Sequence, residues 1–175
     1  GKKLRTLPTT VYADEIAISQ DGRLLATGGS QEDWGIRIWD LQTGKMILGP
    51  SGHTCCVECL CFNPDASLLV AGGKGRELLM WQIGPPEPIL AIPADAEDLQ
   101  SVHFSPDGNF LLAGCKDGRI RLWDRASGKS LRTLEVPYDD ARLHADTGAC
   151  FSPDGKRVAS APRQDGVRLW DIGTG

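Results

Sequence analysis

The stretch "FSPDGNFLLAGCKDGRIRLWD", residues 104–124, sets two short apolar runs between tight corners and closes the second on a tryptophan. In the first corner Pro106 presets φ, Asp107 caps the turn and Gly108 takes the left-handed position, so the flanking runs form a hairpin. The same arrangement recurs along the chain. Corners stand at residues 19–22 (SQDG), 63–66 (NPDA), 105–108 (SPDG) and 152–155 (SPDG). They lead into "RLLATGG", "SLLVAGG", "NFLLAGC" and "KRVASA", and then into alternating runs that end on Trp39, Trp81, Trp123 and Trp170.

These phases divide the chain into units 1–43, 44–85, 86–127 and 128–174, all short strands and turns. A period of 42 to 47 residues predicts one all-β domain, 1–175, built as a propeller array rather than a sandwich. Composition agrees with a globular chain: 175 residues, 41% hydrophobic and 24% charged. A formal net charge of −4 gives no basic patch for nucleic acid, and no apolar run is long enough to span a membrane. Six cysteines without regular spacing do not read as a secreted disulfide framework, which points to a reducing cytoplasm.

Trp39-Asp40, Trp123-Asp124 and Trp170-Asp171, the "FSPDG" corners at Phe104 and Phe151, and the Gly52-His53 pair carry a resemblance to the WD-repeat β-propellers over the whole chain. The resemblance implies four blades, each a four-stranded antiparallel sheet, in a ring that four blades leave incomplete. In unit three, "PILAI" is strand d, "LQSVHFS" strand a, "NFLLAGC" strand b and "RIRLWD" strand c. The resemblance further implies that strand a lines the channel and that d forms the outer edge of the preceding blade. Period two then turns Val57, Leu60 and Phe62, and likewise Leu99, Val102 and Phe104, toward neighbouring blades. Stacked neighbours supply the core that no blade can build alone.

The family resemblance also implies a buried network joining a d–a loop His, a strand-b Ser or Thr, a b–c turn Asp and the strand-c Trp, whose buried N–H groups need partners. Here it is nowhere complete. His53 is the only Gly-His histidine, and its unit has Gly75 where Asp is expected. Units one and three have the Asp (Asp33, Asp117) without a His, and unit four has Gln164 with Asp165 displaced by one. Thr27 is the one strand-b hydroxyl expected to serve, so the blades rest mainly on packing.

Other features invite chemistry. "GHTCCVECLCF" offers His53, Cys55, Cys56, Cys59 and Cys61, but on a strand Cys56 and Cys59 point to opposite faces, so they read as small buried thiols rather than zinc ligands. "SGKS" at 127–130 mimics the end of a phosphate-binding loop, yet a strand follows where a helix is needed; it is a c–d turn. His103 and His144 have no nucleophile or carboxylate beside them in sequence and read as structural or surface residues. No catalytic, cofactor or metal site is expected.

Acidic residues gather in the d–a loops: Asp14 and Glu15; Asp95, Glu97 and Asp98; Asp139, Asp140 and Asp146, with Arg142 and His144 in the longest insertion. The resemblance places them on one face with the b–c loops, a mixed-charge surface suited to a protein partner. The expected function is a non-catalytic protein-interaction scaffold. A propeller-type enzyme with a hydrolytic or metal-assisted site at the channel mouth is the alternative, and it would need convergent carboxylates and histidines on strand a. One further pattern concerns assembly. "GKKLRTL" (1–7) matches the back of "RLWDRASGKSLRTL" (121–134), and "RLWDIGTG" (168–175) its front. The expectation is a homodimer closing an eight-bladed ring, each "KKLRTL" completing the other chain's last blade, with a fragment of a longer WD-repeat signalling protein as the rival reading.

Overall fold

The computed structural model describes residues 1–7, 13–29, 35–49, 51–85, 87–96, 98–135, 147–162 and 166–173. Among them lie β1 (Glu15–Ile18), β2 (Leu24–Gly28), β3 (Arg37–Asp40), β4 (Met46–Leu48), β5 (Val57–Phe62), β6 (Leu68–Gly73), β7 (Glu77–Gln82) and β8 (Leu90–Pro93). They continue with β9 (Leu99–Phe104), β10 (Phe110–Cys115), β11 (Ile120–Asp124), β12 (Ser130–Leu134), β13 (Thr147–Phe151), β14 (Arg157–Pro162) and β15 (Arg168–Asp171). No helix of the described chain is long and apolar enough to cross a membrane.

All strand pairs are antiparallel, and the sheets follow chain order: β1-β2-β3-β4, β5-β6-β7-β8, β9-β10-β11-β12 and β13-β14-β15. The d strand of each following unit therefore closes the blade before it: β4 on β3, β8 on β7, β12 on β11. In the fourth sheet β15 carries no fourth strand among the described residues, and the ring is open.

The corners explain why the sheets form where they do. Ser105 Oγ donates to Asp107 at 2.5 Å and accepts the Phe110 N–H at 2.9 Å, while Gly108 N–H closes on the Ser105 carbonyl at 2.8 Å. Ser19 with Asp21 and Ser152 with Asp154 repeat this clamp, and Asn63 with Asp65 substitutes an amide for the hydroxyl. The position after the Asp is left-handed each time, and at the second corner it is Ala66 with φ 60°, where glycine would be relaxed. The Asp of the first and third units' Trp-Asp pairs serves the next turn: Asp40 accepts Thr43 N–H at 2.6 Å and Asp124 accepts Ser127 N–H at 2.8 Å.

Strict period two fails at one point in strand a. Val57, Leu60 and Phe62 are all buried, although Val57 and Leu60 are three apart; a bulge between Val57 and Cys59 resets the parity. The Leu99-to-Val102 step is absorbed likewise, where the β9–β10 register shifts at Gly114 and Cys115. Three apolar layers fill the spaces between blades. Trp81 packs with Ile36, Ile38 and Ala26 of blade one, Trp123 with Leu78, Met80 and Val70 of blade two, and Trp170 borders Leu112, Ile120 and Leu122 of blade three. Blades two, three and four thus present the Trp face to the blade before, and blades one, two and three the intervening strand positions to the blade after. Blades approach closely enough that a Cβ on Gly114 would collide with the Thr147 carbonyl of the next blade.

Candidate interaction faces

The interior hydrogen bonds differ from blade to blade. In blade one Trp39 Nε1 donates to Thr27 Oγ1 at 3.4 Å. In blade four Trp170 Nε1 donates to Ser160 Oγ at 3.0 Å, so the expectation that Thr27 is the one serviceable hydroxyl is corrected. Ser160 faces Arg168 in the β14–β15 ladder as Thr27 faces Arg37 in β2–β3, and that register was the overlooked signal. In blade two Trp81 Nε1 turns instead to the Ser51 carbonyl at 2.9 Å, and the His53 ring lies 5.8 Å away, tilted by 34°. His53 Nε2 is buried without a partner in the described structure, and its unit has Gly75 where an Asp is expected. Burial lowers the His53 pKa, against a smaller opposing effect of its bond with the Ala71 backbone.

Blade three solves the missing histidine differently. The Arg121 guanidinium, whose side chain is only 7% exposed, bonds Asp117 through two contacts of 2.6 and 3.0 Å and reaches the Asp95 carbonyl of the d–a loop at 3.2 Å. It joins b–c turn, strand c and d–a loop. Burial pushes the Asp117 pKa up, but the bonds and charge of Arg121 outweigh it and hold the carboxyl below its ordinary value. Arg37, Arg121 and Arg168 all stand two residues before a strand-c Trp, whereas Leu79 fills the position in the blade that has His53. Asp33 lies outside the described residues.

Ser101 forms a polar link between blades three and four. Its hydroxyl donates to the Thr147 carbonyl and accepts the Gly114 and Ala149 N–H groups, each at 3.2 Å. Cys59 occupies the equivalent place one blade earlier, its thiol 3.6 Å from the Leu99 carbonyl and held un-ionised by burial. Cys55, Cys56 and Cys61 are only half-buried, so of the four expected as small buried thiols Cys59 alone is fully so; Cys61 Sγ lies 3.2 Å from the Phe62 carbonyl. Among the described residues no three His, Cys, Asp or Glu side chains converge as a metal site would require.

At the d–a loop face, Asp14, Glu15, Val57, Glu58, Lys74 and Gln100 line an open cleft of about 440 Å³. Burial raises the Glu15 pKa, and the charges of Asp14 and Glu58 raise it further; Lys74 stands 3.7 Å from Glu58. Asp98 is committed elsewhere, bonded to Lys116 at 2.6 Å with 14% of its side chain exposed. Asp95 takes a left-handed conformation, φ 48°, that aims its carbonyl at Arg121. Glu97, Asp139, Asp140, Arg142 and His144 lie outside the described residues. His103 and Ser101 line a second recess of about 290 Å³ with Cys150 and Ser160 on the inner strands.

The two end blades expose some of the positions that the inner blades bury, although Trp39 of blade one is as buried as Trp81 and Trp123. The ladders align Ile16 and Ile18 with Leu60 and Phe62, and with Val102 and Phe104. Ile16 and Ile18 are 65% and 60% exposed, whereas the other four are at most 8%. On the opposite side Val167 and Leu169, 78% and 64% exposed, match Ile36 and Ile38, Leu78 and Met80, and Ile120 and Leu122, none above 7%.

Blades of this pattern, stacked Trp face to neighbour and open at both ends, define a β-propeller protein of repeated four-stranded units. The family model described as "WD domain, G-beta repeat" matches residues 1–40, 44–82 and 87–124, and the chain belongs to the WD-repeat family. It is similar to the Periodic tryptophan protein 2 homolog of Schizosaccharomyces pombe, 35% identical over 98 residues, which is 54% of this chain and 11% of that protein. It is 45% identical to WD repeat and SOCS box-containing protein 1 of Xenopus tropicalis over 37% of this chain and 15% of the relative. The U3 snoRNP-associated protein-like EMB2271 of Arabidopsis thaliana is 36% identical over 38% of the chain and 13% of its own length. The matched stretch is thus a small part of each of these relatives.

Proposed function

We propose that the chain is a non-catalytic protein-interaction scaffold in a reducing, cytoplasmic setting, and that two copies join head to tail into an eight-bladed ring. The observation that carries the assembly is the exposure of Ile16, Ile18, Val167 and Leu169 at positions that every inner junction buries. Burial of roughly 400 Å² of apolar surface per face contributes about 10 kcal/mol at ~25 cal/mol/Å². Association costs on the order of 4–15 kcal/mol once, and a twofold ring gains from two junctions. Complementary blocking tests the reading. Ile18→Asp alone and Leu169→Asp alone are expected to be monomers, and their mixture to form a pair through the one intact junction. Self-association of either single variant as strong as the parent's would contradict it.

The d–a loop face is the proposed seat of the partner. A cleft holding Asp14, Glu15 and Glu58 against one Lys74 favours a basic protein surface, and complementarity of this kind acts mainly on specificity and association rate. Co-purification of complexes from the source cell at low and high salt, with the parent and with Glu15→Lys plus Glu58→Lys, tests this. Salt and charge reversal are both expected to weaken capture; a partner indifferent to both would refute the placement. The relatives' names support membership of assemblies as a reading, since one is named as U3 snoRNP-associated.

A further inference from the structure

Blade two departs from its neighbours on the d–a loop face. Six residues before the strand-c tryptophan stand Asp33, Gly75 and Asp117 in blades one to three. In blade three that carboxylate takes two bonds from Arg121, the residue paired with Ala113 across β10 and β11. The matching pair in blade two is Ala71 with Leu79, so blade two has neither the acid nor the arginine. The Ala71 backbone instead takes a bond from the His53 ring, which comes from the d–a loop. Nε2 has no partner, so that bond uses Nδ1–H. Nε2 is then a buried lone pair in the neutral ring and an unanswered donor in the cation, and a buried polar atom left so costs free energy in either form.

Gly75 leaves room for a side chain on the b–c turn. Apart from its chain neighbours, a Cβ there would find only Cys55 Sγ within 4 Å, at 3.0 Å, and Cys55 belongs to the same loop as His53. Gly75 is partly exposed, and Lys74 and Arg76 on either side of it are exposed cations. Lys74 stands 3.7 Å from Glu58, and Arg76 makes no ion pair among the described residues. The acids of the adjoining strands are Glu58 of β5 and Glu77 of β7. Both bear on the Cys55 thiol, whereas the proton affinity of His53 is set by burial and by Ala71.

We propose that the space beside Gly75 receives the carboxylate of a partner's aspartate or glutamate side chain. That group takes in trans the position Asp117 holds within blade three, and it accepts from His53 Nε2–H between Lys74 and Arg76. One proton enters with it: the neutral ring is protonated at Nε2 as the anion arrives, so the buried cation never stands alone. A metal ion suits the place less, since no three His, Cys, Asp or Glu side chains converge among the described residues. Lys74 also lines the acidic cleft with Glu15 and Glu58, so a basic partner surface carrying one acid among its cations fits both. That the anion comes from a protein rests on the scaffold reading; the site itself does not.

Proton NMR of the full chain tests the site, with the His53 signal assigned by its loss in His53→Gln. The probes are N-acetyl-aspartyl-N-methylamide, N-acetylalanine as a free chain end, and N-acetyl-asparaginyl-N-methylamide as a neutral control, all at one ionic strength. The capped aspartate is expected to raise the His53 titration midpoint saturably by roughly one pH unit, equivalent to about tenfold tighter binding by the protonated ring. The capped asparagine should leave it unmoved. In Gly75→Asp, where the chain supplies its own carboxylate, and in Gly75→Asn, which fills the space without charge, the capped aspartate should have no effect. Lys74→Ser with Arg76→Ser should weaken its apparent affinity by about threefold. A parent midpoint that no carboxylate moves, or a probe effect that survives in both Gly75 variants, overturns the site. Movement with N-acetylalanine alone overturns the side-chain source in favour of a chain-end carboxylate. The chain is used without a partner, so a failure here leaves the acidic-cleft reading standing, and capture indifferent to salt leaves this site standing.

Discussion

Arg121, buried, and Asp117, partly exposed, form a two-bond pair at 2.6 and 3.0 Å that holds the b–c turn of blade three to its strand c, and through the Asp95 carbonyl to the d–a loop. Its two ends are not equivalent. Asp117→Ala leaves a guanidinium buried without a counter-charge, and is expected to cost about 2–4 kcal/mol. Arg121→Leu, which copies Leu79 of blade two, leaves a carboxylate that is one-third exposed and can hydrate; it is expected to cost about 1 kcal/mol. Urea titration of the two variants checks the asymmetry, and equal losses would remove the argument.

Acid should weaken the fold in two stages. Burial lowers the pKa of His53 and of His103, so the unfolded chain binds protons that the folded chain resists; stability present above about pH 6.5 is lost as pH falls below it. Asp117, held below its ordinary value, contributes stability that is full above about pH 4 and is lost on further acidification. Denaturant midpoints at pH 7.5, 5.5 and 3.5 are expected to fall at each step. In a His53→Gln, His103→Gln variant the first step should shrink.

Gly75→Asp should give His53 Nε2 the acceptor it lacks. The Cβ enters beside Cys55 Sγ at 3.0 Å, and that thiol sits at the end of a movable side chain. A gain of about 1 kcal/mol and an upward shift of the His53 titration are expected, read by urea unfolding and proton NMR. A loss of stability with an unmoved titration would show that the carboxylate does not reach the ring.

Ala66 sits at φ 60° where the three companion corners have glycine. Ala66→Gly is expected to stabilise the chain by about 1 kcal/mol, with thermal unfolding as the measure. Trp123→Ala, at the centre of the layer between blades two and three, should cost about 3–5 kcal/mol in the same assay.

Local chemistry made much of the fold legible. A Ser-Pro-Asp-Gly corner stores its turn in contiguous residues, and alternation places Phe62 and Phe104 without knowledge of any neighbour. The bulges at Val57 and Gly114 were hidden, because an added residue changes parity without changing composition. Ser160, Arg121 and Ser101 were hidden for another reason: each works through a register between strands or across blades. Ser160 could have been found by counting forward from the corner glycine, since it stands five residues after Gly155 as Thr27 stands five after Gly22, and Arg121 by noting that an arginine two before the tryptophan accompanies the blades without a Gly-His pair. The inter-blade link made by Ser101 left no periodic trace, since Glu15, Cys59 and Gly148 stand at its equivalents.

The exposed faces of blades one and four are proposed as junction surfaces for one another. Multi-angle light scattering of the chain alone, from one to about fifty micromolar, tests that most directly. A concentration-dependent rise from 18.9 kDa to twice that mass, with no larger species, is the result expected of a ring closed by two copies. A stable monomer across the range would contradict it.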